Sequence, residues 1–275
     1  MLSLFLTSGL LDYFDITEAF NMGDYYVCLN VMFLDKISWT LTDNIYRAYI
    51  LTHRLMDKEM RKRPIFGISR LRMGIDGKGV TTLVAFMGYP LHCKYCINAQ
   101  CHDSIYEEDH SLRKGVQMLS PKELYDIVKK DNIYFQATGG GVCFGGGEPT
   151  MNADFIIEFA KLIPKGWKLT LETSLKCSCK TIESLAPYVA EWIVDIKDTN
   201  KSIYEKYTGV SSEIIQQLYY IKEIVPVDKV IVKVPHIPHF NTEEDVKHSI
   251  EILKGIGITH IKEITYMEHI THITK

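Results

Sequence analysis

The chain has 275 residues, enough for one or two domains. Hydrophobic residues make up 46% and charged residues 24%, which excludes a disordered or low-complexity protein. A net charge of −3 (31 basic, 34 acidic) excludes attraction to nucleic acid or a membrane surface by bulk charge.

No apolar run reaches the roughly 20 residues of a membrane span. The apolar start, residues 2–11, has neither the basic flank nor the small-residue cleavage site of a signal peptide. Cysteines stand at 28, 93, 96, 101, 143, 177 and 179, too clustered for a disulfide scaffold. They read as metal ligation or redox chemistry in a reducing, cytoplasmic setting.

The first sixty or so residues are rich in Leu, Tyr, Phe and Met, and the spacing of Ile45, Tyr49, Leu51 and Leu55 predicts a helix ending in the basic cluster 58–63. A boundary is placed there, with an N-terminal extension over 1–63 and a core over 64–275. Beyond it, Val80 to Met87 is a continuous apolar run, as in a strand buried on both faces. Ser120-Pro121-Lys122-Glu123 opens a helix, with Ser as N-cap, Pro at the first helical position and Glu at the third. Further strands are predicted at 142–144, 168–172, 192–196, 229–234 and 260–266. Helices are predicted at 152–162, 181–188, 213–224 and 242–254. Six strands alternating with helices imply right-handed crossovers and a parallel sheet, closed as a barrel or open and doubly wound. In either case ligands bind at the carboxyl ends of the strands.

Two candidate segments follow strands. After the first comes Gly88-Tyr89-Pro90-Leu91-His92-Cys93-Lys94-Tyr95-Cys96, with Cys101 five residues on. Two residues between the thiols of Cys93 and Cys96 let both point at one metal or cluster. Zinc would need a second pair, for which Cys177 and Cys179 are available. After the second strand, the span 137–149 carries six glycines and then Glu148-Pro149. These glycines are expected to let the backbone approach a ligand rather than to serve packing, and Glu148 suits an ammonium group. A phosphate loop is excluded because no Lys-Ser/Thr follows and no G-x-G-x-x-G opens a helix. Cys143 and Cys28 read as small buried residues, and His260, His269 and His272 as surface residues.

Together these segments resemble the radical S-adenosylmethionine (SAM) superfamily, in particular the glycyl-radical-enzyme activases. The resemblance rests on the cysteine loop, on Gly139 through Pro149, on the lead-in 73–79 and on Asp195-Ile196-Lys197-Asp198. It covers about residues 66–267. It implies a partial (β/α)6 TIM-type barrel, with a small, mainly helical N-terminal extension lying outside it. Cys93 and Cys96 match the second and third cysteines of the family's cluster loop, while the first falls on Tyr89. Cys101, at a spacing the family does not share, and the Tyr89 phenolate are the alternatives for the missing ligand.

The resemblance further implies a 4Fe–4S cluster that reduces bound SAM. The resulting 5′-deoxyadenosyl radical takes a hydrogen atom from a glycine of a glycyl-radical enzyme or from another substrate, with electrons from a donor such as flavodoxin or ferredoxin. By the same resemblance Tyr95 lies near the adenine, and Gly146, Gly147 and Glu148 meet the methionine amino group. Glu172 faces the ribose, Asp195 and Lys197 face the site from the fourth strand, and Lys233 meets the methionine carboxylate. The bland alternatives are an aromatic anchor for Tyr95, a surface carboxylate for Glu172 and a structural ion pair for Asp195 with Lys197. A descendant that lost the cluster, keeping only SAM or protein binding, and a zinc protein are the competing functions.

Overall fold

The computed structural model describes residues 62–266, all within the compact unit Glu59–Lys275. The predicted helix before residue 61, Cys28, His269 and His272 lie outside the described residues. Eight strands form one sheet in the order β3-β1-β2-β4-β5-β6-β7-β8. The strands are β1 Arg63–Met73, β2 Val80–Phe86, β3 Gln117–Leu119, β4 Gly141–Gly146, β5 Lys168–Thr173, β6 Glu191–Asp195, β7 Val230–His236 and β8 His260–Thr265. From β2 through β8 every pairing is parallel. These six strands are the six predicted, and the sheet is open. No pairing joins β2 to β8.

Strands β1 and β3 were not predicted. They add an antiparallel edge beside β2. β1 is half-exposed and irregular, with register shifts on either side of Gly67–Ser69, so it lacks the clean alternation of a half-buried strand.

Helices cover the sheet between the parallel strands, as right-handed crossovers require. They are α1 Pro121–Val128, α2 Asn132–Thr138, α3 Ala153–Ala160, α4 Cys179–Leu185, α5 Lys201–Thr208, α6 Ile214–Ile224 and α7 Glu243–Ile256. α1 carries the expected capping box of Ser120 and Glu123. α7 carries another, of Thr242 and Asp245, and ends at left-handed Gly257. The short α2 and α5 were missed, because seven or eight residues give too little periodicity to read.

The core lies between sheet and helices. Phe86 of β2 stacks on Phe144 of β4 with centroids 5.4 Å apart, and α3 adds Phe155 and Phe159 edge-on at 5.5 and 5.4 Å. β2 is buried at six of its seven positions, as its apolar run required.

The glycine-rich span corrects one expectation: much of it does serve packing. A Cβ on Gly141 would lie 2.1 Å from the carbonyl oxygen of Lys168, and one on Gly140 would lie 1.9 Å from that of Val80. These glycines let β4 enter the sheet between β2 and β5.

The antiparallel edge is tied to the core by one buried carboxylate. Asp131 accepts a bidentate pair of hydrogen bonds from Arg70 of β1, and one from the Thr82 hydroxyl at 2.8 Å. Burial works against its ionisation, but Arg70 and Thr82 outweigh burial and hold the carboxyl below its usual range. Its contribution is therefore present above the unfolded value of about 3.9 and lost as pH falls through the folded value. Asp131→Asn should lower stability at neutral pH. The deficit against the parent should shrink in acid, as read from unfolding curves between pH 7 and pH 3.

Candidate active site

The carboxyl ends of the parallel strands meet along one edge. The β4 exit is tied to the β2 exit by Gly147 N–H donating to the Phe86 carbonyl at 2.9 Å and Glu148 N–H to the Gly88 carbonyl at 2.8 Å. A Cβ on Gly147 would sit 2.1 Å from that Gly88 oxygen, so only glycine allows this junction.

The cysteine loop hangs from the same place. Gly88 N–H donates to the Cys101 carbonyl at 2.8 Å, and the Asn98 side chain donates to the Gly146 carbonyl at 3.2 Å. On the far side, His92 and Lys94 N–H groups bond the carbonyls of Thr208 and Tyr207 at the end of α5. The loop is thus fixed at both flanks.

Within it, ligand atoms of Cys96, Cys101 and His102 lie within 4.8 Å of one another. Cys101 is buried, and Cys93 and Cys96 are half-buried. A hydrogen bond from Cys101, with help from the Asn98 backbone and His102, pulls the Cys96 thiol down to about 5. Burial pushes Cys93 up to about 11. It drives the Tyr89 phenol well above its ordinary value as well. Tyr89 rests edge-on against the His102 ring at 5.8 Å, and His102 stacks on His92 at 5.4 Å. The four-cysteine zinc alternative is not assembled: of its four thiols only Cys96 is in the gathered donor set, with Cys93, Cys177 and Cys179 outside it. Cys177 instead neighbours Thr150 and Glu148.

Glu148 is fully buried. Its Oε1 accepts from Thr150 N–H at 3.1 Å, Thr150 hydroxyl at 2.7 Å and Thr173 hydroxyl at 2.6 Å. Its Oε2 accepts from Ser174 N–H at 2.9 Å and Ser174 hydroxyl at 2.7 Å. This carboxylate is a brace between the ends of β4 and β5. The expectation that it receives an ammonium gives way to five internal donors.

Glu172 of β5 and Lys233 of β7 form an ion pair, which raises the Lys233 ammonium despite burial. Asp195 and Lys197 share a face and pair at 2.7 Å, and the Tyr266 hydroxyl joins both. Burial opposes the Asp195 charge, but Lys197, Tyr266 and Lys233 outweigh it and hold the carboxyl low. Lys197 reaches this position with a left-handed backbone, φ 63°, uncommon for a residue with a side chain. Asp195 Oδ1 is buried without a hydrogen-bond partner. Tyr95 packs in an aromatic group with Tyr207 and Phe240 at 6.1 and 5.6 Å. Cys143 is fully buried, as expected.

Sequence reasoning missed His102 and Tyr266. His102 had a signal in its position beside Cys101, whereas Tyr266 has none, since its partners lie some seventy residues earlier.

An open parallel sheet with a thiol-bearing loop after its first parallel strand, and acid–base pairs on the later ones, is the architecture of an α/β protein with its site at the carboxyl ends of the strands. The sequence profile of the radical SAM superfamily matches residues 90–271, and the chain belongs to that superfamily. Among its relatives, the (2S)-3-sulfopropanediol dehydratase activating enzyme of Klebsiella oxytoca is 30% identical over 233 residues, 65% of this chain and 73% of the relative. The choline trimethylamine-lyase activating enzyme of Oleidesulfovibrio alaskensis is 25% identical over 247 residues, 70% and 79% of the two chains. Streptococcus suis SuiB shares the fold, with TM-score 0.50 at 18% identity over 69% of this chain and 40% of that one.

Proposed function

We propose that the chain is an activating enzyme for a glycyl-radical enzyme, holding a 4Fe–4S cluster and SAM at the carboxyl ends of its parallel strands. The observation that carries this reading is the cysteine loop at the exit of β2, pinned to the Gly146–Glu148 turn. Soft thiolates suit iron–sulfur ligation, and Cys93 and Cys96 stand at family spacing. The unpartnered buried Asp195 Oδ1 suits a ligand rich in hydroxyl and ammonium donors, because a buried acceptor without a donor is costly. The chemistry such a cofactor pair supplies is one-electron cleavage of the sulfonium and removal of a hydrogen atom from a backbone glycine.

The chain's own part is positioning. Backbone carbonyls of Gly146, Gly147 and Glu148 take the methionine ammonium, since the Glu148 carboxylate is already satisfied. From within their ion pair, Lys233 faces the methionine carboxylate and Glu172 accepts hydrogen bonds from the ribose hydroxyls. Tyr95 bounds the adenine side, and the Asp195–Lys197 pair lines the floor. The extension boundary expected at residue 63 falls inside the core unit, which starts at Glu59 and has Arg63 as the first residue of β1. One-electron reduction by a flavodoxin or ferredoxin, and a reducing cytoplasm that keeps the loop cysteines as free thiols, complete the reading. Among the described residues no helix is long and apolar enough to cross a membrane.

The test is anaerobic reconstitution of the full chain, followed by SAM, a reductant and a glycyl-radical enzyme from the same genome. Methionine and 5′-deoxyadenosine in equal amounts, with a glycyl-radical EPR doublet in the partner, are expected. SAM cleavage with no doublet in any such partner would remove the activase assignment, and no cleavage at all would overturn the reading.

A further inference from the structure

Tyr89 occupies the place of the first cluster cysteine, so a cluster needs another third thiolate. The backbone shows where it comes from. Cys101 is far along the loop in sequence but adjacent to residue 89 in space, because its carbonyl accepts from Gly88 N–H at 2.8 Å. Three further contacts hold it there. Cys101 N–H bonds the Asn98 carbonyl at 2.8 Å, closing the turn Ala99–His102. The Asn98 side chain bonds Gly146. Asp103, just past the turn, pairs with Arg113 at 3.0 Å. Cys101 is 2% exposed, yet its Sγ lies within 4.8 Å of the Cys96 Sγ and of a His102 ring nitrogen; Cys93, at family spacing from Cys96, stands outside that close group.

Resting on the activase reading, we infer that Cys101 has taken over the first cysteine's role. The ligand set becomes Cys93, Cys96 and Cys101, with the third ligand supplied from after the pair instead of before it. Thiolate is the softer donor and the better iron–sulfur ligand than either the Tyr89 phenol or the His102 imidazole. Tyr89 then serves as a packing residue against His102. The same close spacing would also hold a single tetrahedral ion at about 2.3 Å from sulfur, so the metal itself must be identified.

Iron, acid-labile sulfide and zinc are measured in the anaerobically reconstituted full chain, with EPR of the reduced form. The panel is the parent, Cys101→Ser, Tyr89→Phe, His102→Ala and the double variant Tyr89→Cys/Cys101→Ser. The parent, Tyr89→Phe and His102→Ala should carry about four irons per chain. Cys101→Ser should fall at least fourfold in iron and lose the EPR signal. The double variant should regain more than half of the iron, which separates ligand loss from misfolding. A Cys101→Ser protein with parental iron overturns the inference while a SAM-cleaving parent keeps the activase reading intact. Loss of iron in His102→Ala or Tyr89→Phe, rather than in Cys101→Ser, overturns it in favour of that residue. A parent holding one zinc, or no iron–sulfur at all, overturns both.

Discussion

Glu148→Gln is expected to destabilise the fold by about 1–3 kcal/mol, the cost of leaving a buried donor without its acceptor. The reason is geometric. Each carboxylate oxygen faces one fixed backbone donor, Thr150 N–H on Oε1 and Ser174 N–H on Oε2. Whichever oxygen becomes an NH2 group, it meets an N–H that cannot rotate away. The three hydroxyls can turn to compensate, whereas the two amides cannot. Because these donors come from the ends of β4 and β5, the damage falls on the strand ends that position Gly146, Gly147 and Glu172. Chemical unfolding followed by the fluorescence of buried Trp167 and Trp192 reads the effect. A midpoint within experimental error of the parent would show that the brace adds nothing.

Lys197→Met is expected to cost more, about 3–5 kcal/mol near neutral pH, because it breaks a buried ion pair by removing one partner. It removes the nearest compensation for a buried carboxylate that already has one unpartnered oxygen, leaving the Tyr266 hydroxyl and the more distant Lys233 as the groups that favour its charge. In the parent, the low Asp195 carboxyl contributes stability above the unfolded value of about 3.9, and that contribution is lost in acid. In the variant, burial dominates and raises the carboxyl, so the folded state prefers the protonated acid. The gap between parent and variant should therefore narrow as pH falls from 7 towards 4. A gap that stays constant over that range would mean that Lys197 acts through packing of its stem and not through its charge. SAM binding by the variant, measured by calorimetry, should weaken with the loss of the ordered Asp195–Tyr266 floor.

Much of the fold was legible because its signals are short-range. The run from Val80 to Phe86, the capping boxes at Ser120 and Thr242, and Gly257 after α7 each depend on a few neighbouring residues. The same holds for the Cys93–Cys96 spacing and for the alternation that puts Asp195 and Lys197 on one face. β1 was illegible for the opposite reason. Its order comes from pairing with β2 and β3 and from Arg70 reaching Asp131, 61 residues away, not from any periodicity of its own.

The site divides along the same line. Residue types and spacing were enough to place thiols after the first parallel strand and charged residues after the later ones, and so to point to the superfamily. Partner choice was not available at that range. That Glu148 spends its carboxylate on Thr150, Thr173 and Ser174, that Glu172 pairs with Lys233, and that Cys101 folds back beside Gly88 all depend on groups brought together across strands. Hydrogen bonding and ion pairing act over about 3 Å in space and are indifferent to separation along the chain, so only the assembled sheet could decide them.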